Sequence, residues 1–504
     1  MTRRSITSVT WSLGANAVKV LVLLARSILL ARLLPVETFG VYALATSLVT
    51  LSGILPAWGM GSAYLHRAPE TADAERAAAV HFTLRLALTA LWAAALILAA
   101  LALAQGPLRA ALIALTLVFA GLYLCDTPKA VLARRVEHRR LAVLELINAV
   151  GTTLVGVALA WRGYGLTALL ATDAVTVLFT ALVLYGWRPV WRPRLLWAGE
   201  TVRYYLRFGG RTMTQSALGE ALDNLDDIWV GAYLGHNPLG LYSRAYTFAT
   251  YPRRLLAMPV NAVAGGAYAE LKGDRPGLSR AFFQTNALLV RGGFLLGGLL
   301  VLVAPEFVAL ALGERWLPMV PAFRLMAVFT LLDPIQGTVS SLFNAVGRPE
   351  QVIRARLVQL AALLAGLYAL GRAWGIVGVA VAVDGALLVG LGLLLARARA
   401  HVDFSAGRLF LRPLAALALA TALGGGAALA AARAGYVSPW LSGGLKTVIF
   451  PAVYGAALLA LEREALVSMM RRVVGRGAGE RGSRGAGEKT FTESASSDAG
   501  ERIV

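Results

Sequence analysis

The chain has 504 residues, of which 58% are hydrophobic and 15% are charged, with a net charge of +20. Its mean hydropathy is +0.65, and apolar runs of roughly 20 residues recur almost end to end, which excludes a soluble globular protein and predicts an all-α, polytopic membrane protein. The basic residues lie mainly between these runs, where Lys and Arg accumulate in short cytoplasmic loops, so the charge does not indicate nucleic-acid binding.

Breaks that are charged, Pro-rich or Gly-rich divide the chain into about fourteen predicted transmembrane helices. The segments are approximately 10–34, 41–62, 81–104, 108–128, 141–161, 166–187, 209–234, 241–267, 282–303, 322–344, 356–371, 375–396, 412–432 and 443–461. The seventh segment carries many charges. The eighth contains Pro252 and Pro259, which a helix inside a bundle tolerates as kinks.

Loop charge assigns the sides of the membrane. If the amino terminus is cytoplasmic, each inside segment holds two to five cations, whereas each outside loop holds at most one. The outside cations are Arg109, Arg162, Arg315, Arg372 and Arg433. This alternation would collapse if one span were miscounted, because every later loop would change sides. We therefore expect both termini to be cytoplasmic.

The predicted spans group into parts. These are an amino-terminal six-helix lobe at 1–187, a cytoplasmic interfacial linker at 188–208, a second six-helix lobe at 209–397, two additional transmembrane helices at 398–462 and a cytoplasmic tail at 463–504. The linker mixes cations with tryptophan and tyrosine, which is typical of a membrane-surface segment and fits a solvated linker with interface anchors equally well. From about residue 471 the composition predicts disorder.

A short connector occurs twice, offset by 200 residues, after the first and the seventh predicted helices. The recurring residues are Leu34, Gly40, Tyr42 and Ala45 in the first copy and Leu234, Gly240, Tyr242 and Ala245 in the second. Residues 163–173 are echoed in the same way by 373–384. Six helices separate the copies, and an even number of crossings gives both halves the same orientation, related by an axis along the membrane normal.

The duplication predicts two parallel six-helix bundles that face one another across a central cleft and rock to open it to either side. We interpret the connector glycine as permitting a sharp turn, and the tyrosine as a residue suited to the membrane interface. The remaining two helices are an appendage.

This organisation resembles the Wzx-type oligosaccharide flippases of the MATE-like exporter superfamily. The resemblance rests on the six plus six plus two spans, the L-x(5)-G-x-Y-x-x-A connector and the stretch from Asp223 to Pro252, and it covers about residues 5–460. It implies export of an undecaprenyl-pyrophosphate-linked oligosaccharide from the cytoplasmic to the outer leaflet for cell-surface polysaccharide. Membrane lipids, glycosyltransferases and a polysaccharide polymerase would then be the partners.

Cations within the predicted spans are candidates for binding pyrophosphate. An ionisable side chain at mid-membrane costs about 2.5–3.5 kcal/mol, so such residues usually face a partner or a watery cavity. Arginine binds phosphate bidentately and stays protonated. The candidates are Arg26, Arg253 and Arg291, followed by Lys19, Arg85 and Arg254. Alternatively, Arg85 reaches the cytoplasmic interface and the pair at 253 and 254 binds acids.

Carboxylates cluster in the seventh span, where Glu220, Asp223 and Asp227 share one helical face. Such a group could bind H+ or Na+ and couple its movement to transport. Ion pairs with Arg211, Arg253 or Arg254 are an equally good interpretation.

Other functions remain open at this stage. A multidrug or small-solute exporter would favour an acidic or aromatic cavity, and a polymerase or ligase would need a large outside loop. A scaffold that recruits glycosyltransferases is also compatible with the sequence. The single cysteine, Cys125, excludes an internal disulfide, and the scattered histidines and the lack of any P-loop, H-E-x-x-H, G-x-S-x-G or dinucleotide motif predict no metal, cofactor or enzymatic site.

Overall fold

The computed structural model describes residues 3–66, 74–134, 138–187, 189, 191–436 and 438–462. The predicted disordered tail lies outside these residues. Throughout the described ranges the regular elements are helices and no strand occurs, which confirms the all-α class.

Some helices, such as α1, α5 and α13, extend beyond the apolar segments that predicted them, whereas the second and eighth predicted segments are each divided into shorter helices. Their bounds are α1 Arg3–Leu33, α2 Val36–Ser52, α3 Ile54–Ala57, α4 Met60–His66, α5 Ala74–Leu103, α6 Gly106–Leu124, α7 Asp126–Arg134, α8 His138–Trp161, α9 Gly165–Ala181, α10 Gly199–Tyr233, α11 His236–Ala249, α12 Met258–Glu270, α13 Arg275–Phe307, α14 Val320–Ala345, α15 Pro349–Gly366, α16 Arg372–Ala398, α17 Arg412–Arg433 and α18 Pro439–Glu462.

Ten helical stretches of the described chain are long and apolar enough to cross a membrane. One of them, Pro349–Ala398, holds both α15 and α16. The helical path is interrupted at Gly375, near the start of α16, where φ is +57°. Helices α1, α10, α11 and α12 lie outside these stretches, and α1 and α10 are long enough to cross but carry several charged residues. The protein is thus a multi-pass membrane protein, and the count of fourteen crossings stays a prediction.

The repeated connector places α2 and α11 against each other. A Cβ atom added at Gly40 would overlap the carbonyl of His236, and one added at Gly240 would overlap the carbonyl of Val36. These positions correspond at the 200-residue offset, so the two contacts are reciprocal. Both glycines lie inside helices rather than in the turn, which corrects our interpretation of the motif: glycine is needed because two backbones approach closely here.

A second set of contacts fastens the end of α1 to the segment between α13 and α14. The guanidinium of Arg315 donates to the carbonyls of Ala31 and Arg32 at 2.5 and 2.6 Å. The indole of Trp316 also donates to the Ala31 carbonyl, at 3.0 Å. In return, Arg32 donates to the carbonyl of Ala311 at 2.7 Å. The two halves are therefore joined at the end predicted to face outward.

Helix α10 contacts both halves; the predicted boundaries divide its residues between the interfacial linker and the second lobe. Near its amino terminus the Tyr205 hydroxyl donates to the carbonyl of Ala77 in α5 at 3.1 Å. The indole of Trp58 donates to the Leu206 carbonyl at 3.2 Å. The predicted lobe boundaries stay a prediction, but α10 bridges the two helix groups.

Candidate functional site

Polar side chains concentrate where α1, α2, α9, α10 and α11 meet. We call this group the interlobe cluster. Its members are Arg26, Tyr42, Ser47, Asp173, Asp226, Asp227, Tyr242 and Arg244. They lie within helices, so rigid backbone holds each side chain in position.

The two repeated tyrosines bind carboxylates, which corrects our interpretation of them as interface residues. Tyr42 donates to Asp173 in α9 at 2.8 Å. Its counterpart Tyr242 instead donates to Asp226 in α10 at 2.6 Å. Asp384, which corresponds to Asp173 in the second half, keeps a buried Oδ1 without a hydrogen bond to any described residue. The duplicated helices therefore carry different hydrogen bonds.

The three carboxylates predicted to bind a coupling ion have different surroundings. Asp227 accepts a 3.1 Å hydrogen bond from the hydroxyl of Ser47, which joins α10 to α2. Glu220 is bound within its own helix by the side-chain amide of Asn224 at 3.2 Å. Asp223 is exposed and lies within electrostatic range of Arg253. Of the three, Asp227 is the one whose hydrogen bond crosses between the halves.

Arg26 and Arg244 contribute two guanidinium groups to the cluster, one from each half. The guanidinium of Arg244 lies 4.7 Å from the ring centroid of Phe39, and its Nε is buried without a partner. Arg26 lies within electrostatic range of Arg244, Tyr42 and Asp173. Neither arginine forms a hydrogen bond or an ion pair with the part of the chain that the structure describes. Both guanidinium groups are partly buried, and Arg244 also lies within electrostatic range of Asp227. Because no acceptor among the described residues binds either guanidinium directly, the pair is suited to an anionic ligand.

A mixed group of charges lies beside the cluster. Arg253 forms a 2.9 Å ion pair with Asp333. Arg356 lies within electrostatic range of Asp333 and Asp223, and it donates to the carbonyl of Gln215 at 2.7 Å. The region that we expected to be basic is therefore lined by carboxylates as well as by arginines.

Three more predicted cations already contact other residues of the protein. Lys19 forms a 2.7 Å ion pair with Glu145 in α8. Arg254 lies over the ring of Tyr251 at 5.5 Å. Arg85 is buried rather than extended to the interface, because it pairs with Asp126 and donates to two carbonyls at the end of α3.

Arg291 forms its contacts between α13 and α18, away from the interlobe cluster. It forms a 2.6 Å ion pair with Glu462 in α18 and donates to the carbonyl of Ala287 at 2.9 Å. The neighbours of Arg85 and of Arg291 include none of the residues around Arg26. The structure therefore does not bring these two predicted cations together with the interlobe cluster, since each is neutralised within its own helix group.

Our sequence reasoning missed Arg244 and the role of Asp226. A usable signal was the departure from the repeat: at the 200-residue offset, Arg244 stands where the first copy has Leu44, and Asp226 stands where it has Arg26. Exchanged charge types at equivalent positions are what a shared interlobe site requires, because each half supplies a different part of it.

Comparison with known proteins places this geometry in context. A family model described as "Polysaccharide biosynthesis protein" matches residues 29–321. The lipopolysaccharide biosynthesis protein WzxC of Escherichia coli K12 is 24% identical over 75% of this chain and 77% of its own length. The succinoglycan biosynthesis transport protein ExoT of Rhizobium meliloti is 27% identical over 60% of this chain and 61% of its own.

Two solved structures share the fold. The lipid II flippase MurJ in an inward closed conformation superposes with a TM-score of 0.73 at 11% identity, over 90% of this chain and 98% of that one. A multidrug resistance MATE transporter in an inward-facing conformation gives a TM-score of 0.59 at 17% identity, over 76% and 95% of the two chains.

Proposed function

The chain belongs to the polysaccharide biosynthesis family and is a membrane transporter of the Wzx-type flippase branch, and from this premise we propose its substrate and mechanism. It translocates an undecaprenyl-pyrophosphate-linked oligosaccharide from the cytoplasmic to the outer leaflet by alternating access. The relatives named for lipopolysaccharide and succinoglycan biosynthesis support a lipid-linked sugar as the cargo.

The observation that carries the proposal is the pair of unpartnered arginines. Arg26 from α1 and Arg244 from α11 present two guanidinium groups that lack acceptors among the described residues. Pyrophosphate supplies oxygens on two adjacent phosphorus atoms, so each guanidinium can bind one phosphate bidentately. The ligand would offset the repulsion between the two cations and thereby hold the two halves together.

Alternating access requires contacts that differ between states. The α2–α11 crossing and the bonds from Arg315 and Arg32 join the halves at the predicted outer end. Opening to the outside must break these contacts. Apolar side chains of both halves, including Phe39 and Trp316, also pack in one buried cluster here. Rigid-body rocking must therefore exchange this packing together with the hydrogen bonds.

We extend the proposal to coupling by a proton at Asp227. Protonation of this carboxylate would change its bond to Ser47, which links α10 to α2. The coupling step thus acts on the same interlobe contact that transport must rearrange.

The acids and tyrosines of the cluster also favour one other cargo. A cationic small solute, as in multidrug export, would bind Asp226 and Asp227 against the rings of Tyr42 and Tyr242. The two cargoes differ in the arginines, which a cationic solute would avoid.

One substitution separates these cargoes. In cells that depend on this transporter, Arg26→Gln should cause lipid-linked sugar to accumulate on the cytoplasmic side, with export at least tenfold slower. Arg26→Lys should retain part of the activity, because the ammonium keeps the positive charge but cannot bind phosphate bidentately. Arg354→Gln, which replaces an exposed cation of α15, is the matched control. Unchanged sugar export in Arg26→Gln, with raised export of a cationic dye, would support the exporter instead.

A further inference from the structure

A separate cavity lies at the predicted cytoplasmic end of the first helix group. Its volume is about 350 Å³. We call it the basic pocket, and its principal lining residues are Tyr64, Glu75, Arg134, Trp191, Arg192 and Arg194. It shares no described lining residue with the interlobe cluster, so binding of a bulk lipid here is independent of the proposed function, whereas a role in loading the substrate rests on it.

The walls of the basic pocket are held in place by the linker that joins the two halves. The ring of Trp191 packs on Phe82 of α5, with 5.5 Å between the centroids. Five residues further on, the Leu196 amide donates to the hydroxyl of Thr83 at 2.9 Å. These contacts fix the two ends of the segment that carries Arg192 and Arg194. The linker is thus bound to α5 rather than freely solvated.

The opposite wall is formed by α4 and α7. The guanidinium of Arg134 donates to the carbonyl of Tyr64 at 3.1 Å and lies over the Tyr64 ring, 5.6 Å from its centroid. This contact orients the cation at the edge of the cavity.

Charge in the basic pocket is unbalanced. Among the described lining residues, three are arginines and one is a carboxylate, Glu75, which lies 3.4 Å from Arg194. Both members of that pair are exposed, and exposed ion pairs are weak. Arg192 is exposed and has no hydrogen bond, ion pair or ring contact within the described chain. The cavity therefore attracts an anion.

The neighbouring side chains indicate where the basic pocket lies relative to the membrane surface. Leu195 and Trp197 belong to the same linker and are 69% and 64% exposed. Large apolar side chains beside arginines are typical of a segment lying at the membrane surface, with the apolar groups inserted and the cations at headgroup level. A soluble anion would not require this apolar rim. The anion that fits is one attached to a lipid.

We propose that the basic pocket binds the phosphate of an anionic lipid headgroup in the cytoplasmic leaflet. Basic pockets between membrane helices on this side bind phosphate-bearing headgroups through a few arginines. Two sources share this chemistry, namely a bulk phospholipid and the polyprenyl pyrophosphate carrier waiting to enter the transporter. The first would fix the orientation of the linker, and the second would make the pocket a loading site.

The test compares lipid binding by the full chain and by Arg192→Gln/Arg194→Gln. Native mass spectrometry of the detergent-solubilised protein would count bound phosphatidylglycerol, phosphatidylcholine and undecaprenyl pyrophosphate in separate titrations. The matched control is Arg280→Gln/Arg354→Gln, which removes two exposed arginines from α13 and α15 on the same predicted side. All three proteins should have the same melting temperature, since the replaced side chains are exposed.

We expect the pocket variant to bind phosphatidylglycerol about tenfold more weakly, with no change for phosphatidylcholine and none in the control. A loss confined to undecaprenyl pyrophosphate would support the pocket as a loading site instead. Equal affinities in the pocket variant and the full chain for both anionic lipids would overturn the proposal, as would an equal loss in the control.

Discussion

The hydroxyl of Ser47 donates a 3.1 Å hydrogen bond to the carboxylate of Asp227, and this bond joins the second helix of the first half to the first helix of the second half. The two residues are 180 positions apart in the sequence. Because an acid holds the contact, its protonation state can influence how firmly the halves are joined.

The first prediction concerns this acid. Asp227→Asn keeps the size of the side chain and removes its charge, so transport should fall at least tenfold and lose its dependence on a proton gradient. Ser47→Ala removes one hydrogen bond and should slow transport only a few-fold, since such a bond contributes about 1 kcal/mol. Uptake measured in vesicles with and without a pH gradient distinguishes the two. Full gradient dependence in Asp227→Asn would exclude this residue as the coupling site.

The second prediction concerns Arg244. Arg244→Leu restores the residue that the first copy of the repeat has at position 44 and removes a buried cation whose Nε lacks a hydrogen-bond partner. The variant should unfold at a higher temperature while losing transport, as expected where function requires a destabilising group. Melting temperature and sugar export are measured on the same preparation. A lower melting temperature would mean that Arg244 serves packing rather than ligand binding.

The third prediction concerns the glycines of the crossing. Gly40→Ala and Gly240→Ala each place a methyl group into the opposing backbone, which should destabilise the protein by about 1–3 kcal/mol and loosen the outer end. Gly392→Ala, at a helical glycine of α16 that faces open space, is the matched control and should be neutral. Labelling of single cysteines placed near the crossing, from the outside, reports the loosening. Equal labelling in all three variants would contradict a closed outer contact.

The fourth prediction concerns the attachment of α18. Two buried ion pairs join it to α13: Arg291 with Glu462, and Lys446 with Glu306 at 2.5 Å. Glu462→Gln leaves a buried guanidinium without its anion, so the free energy of unfolding should fall by about 3–5 kcal/mol.

The exposed pair Arg275 and Asp403 provides the comparison. Asp403→Asn should cost no more than about 1 kcal/mol, because water screens the charges. Unfolding in mixed detergent measures both variants. Similar losses in the two would show that the α13–α18 pair is effectively solvated.

Some of the candidate site could be predicted from the sequence, for a local reason. Runs of apolar residues predict which segments cross the membrane, so Arg26 and Asp227 are recognisable as charged residues within predicted transmembrane helices. The same rule also selected Arg85 and Arg291, whose partners Asp126 and Glu462 satisfy them within the fold. A charge pattern along one chain cannot distinguish a cation that binds a ligand from one that is already paired.

The sequence by itself determined the class of protein, the helical segments and the duplication, because these depend on hydropathy, loop charge and a visible offset. Only the tertiary structure decided what the repeated residues do. Gly40 permits a close helix crossing, and Tyr242 binds Asp226 instead of following the pairing of Tyr42. The physical reason is that close packing and ion pairing join residues far apart in the chain, and a local pattern carries no information on which distant groups will meet.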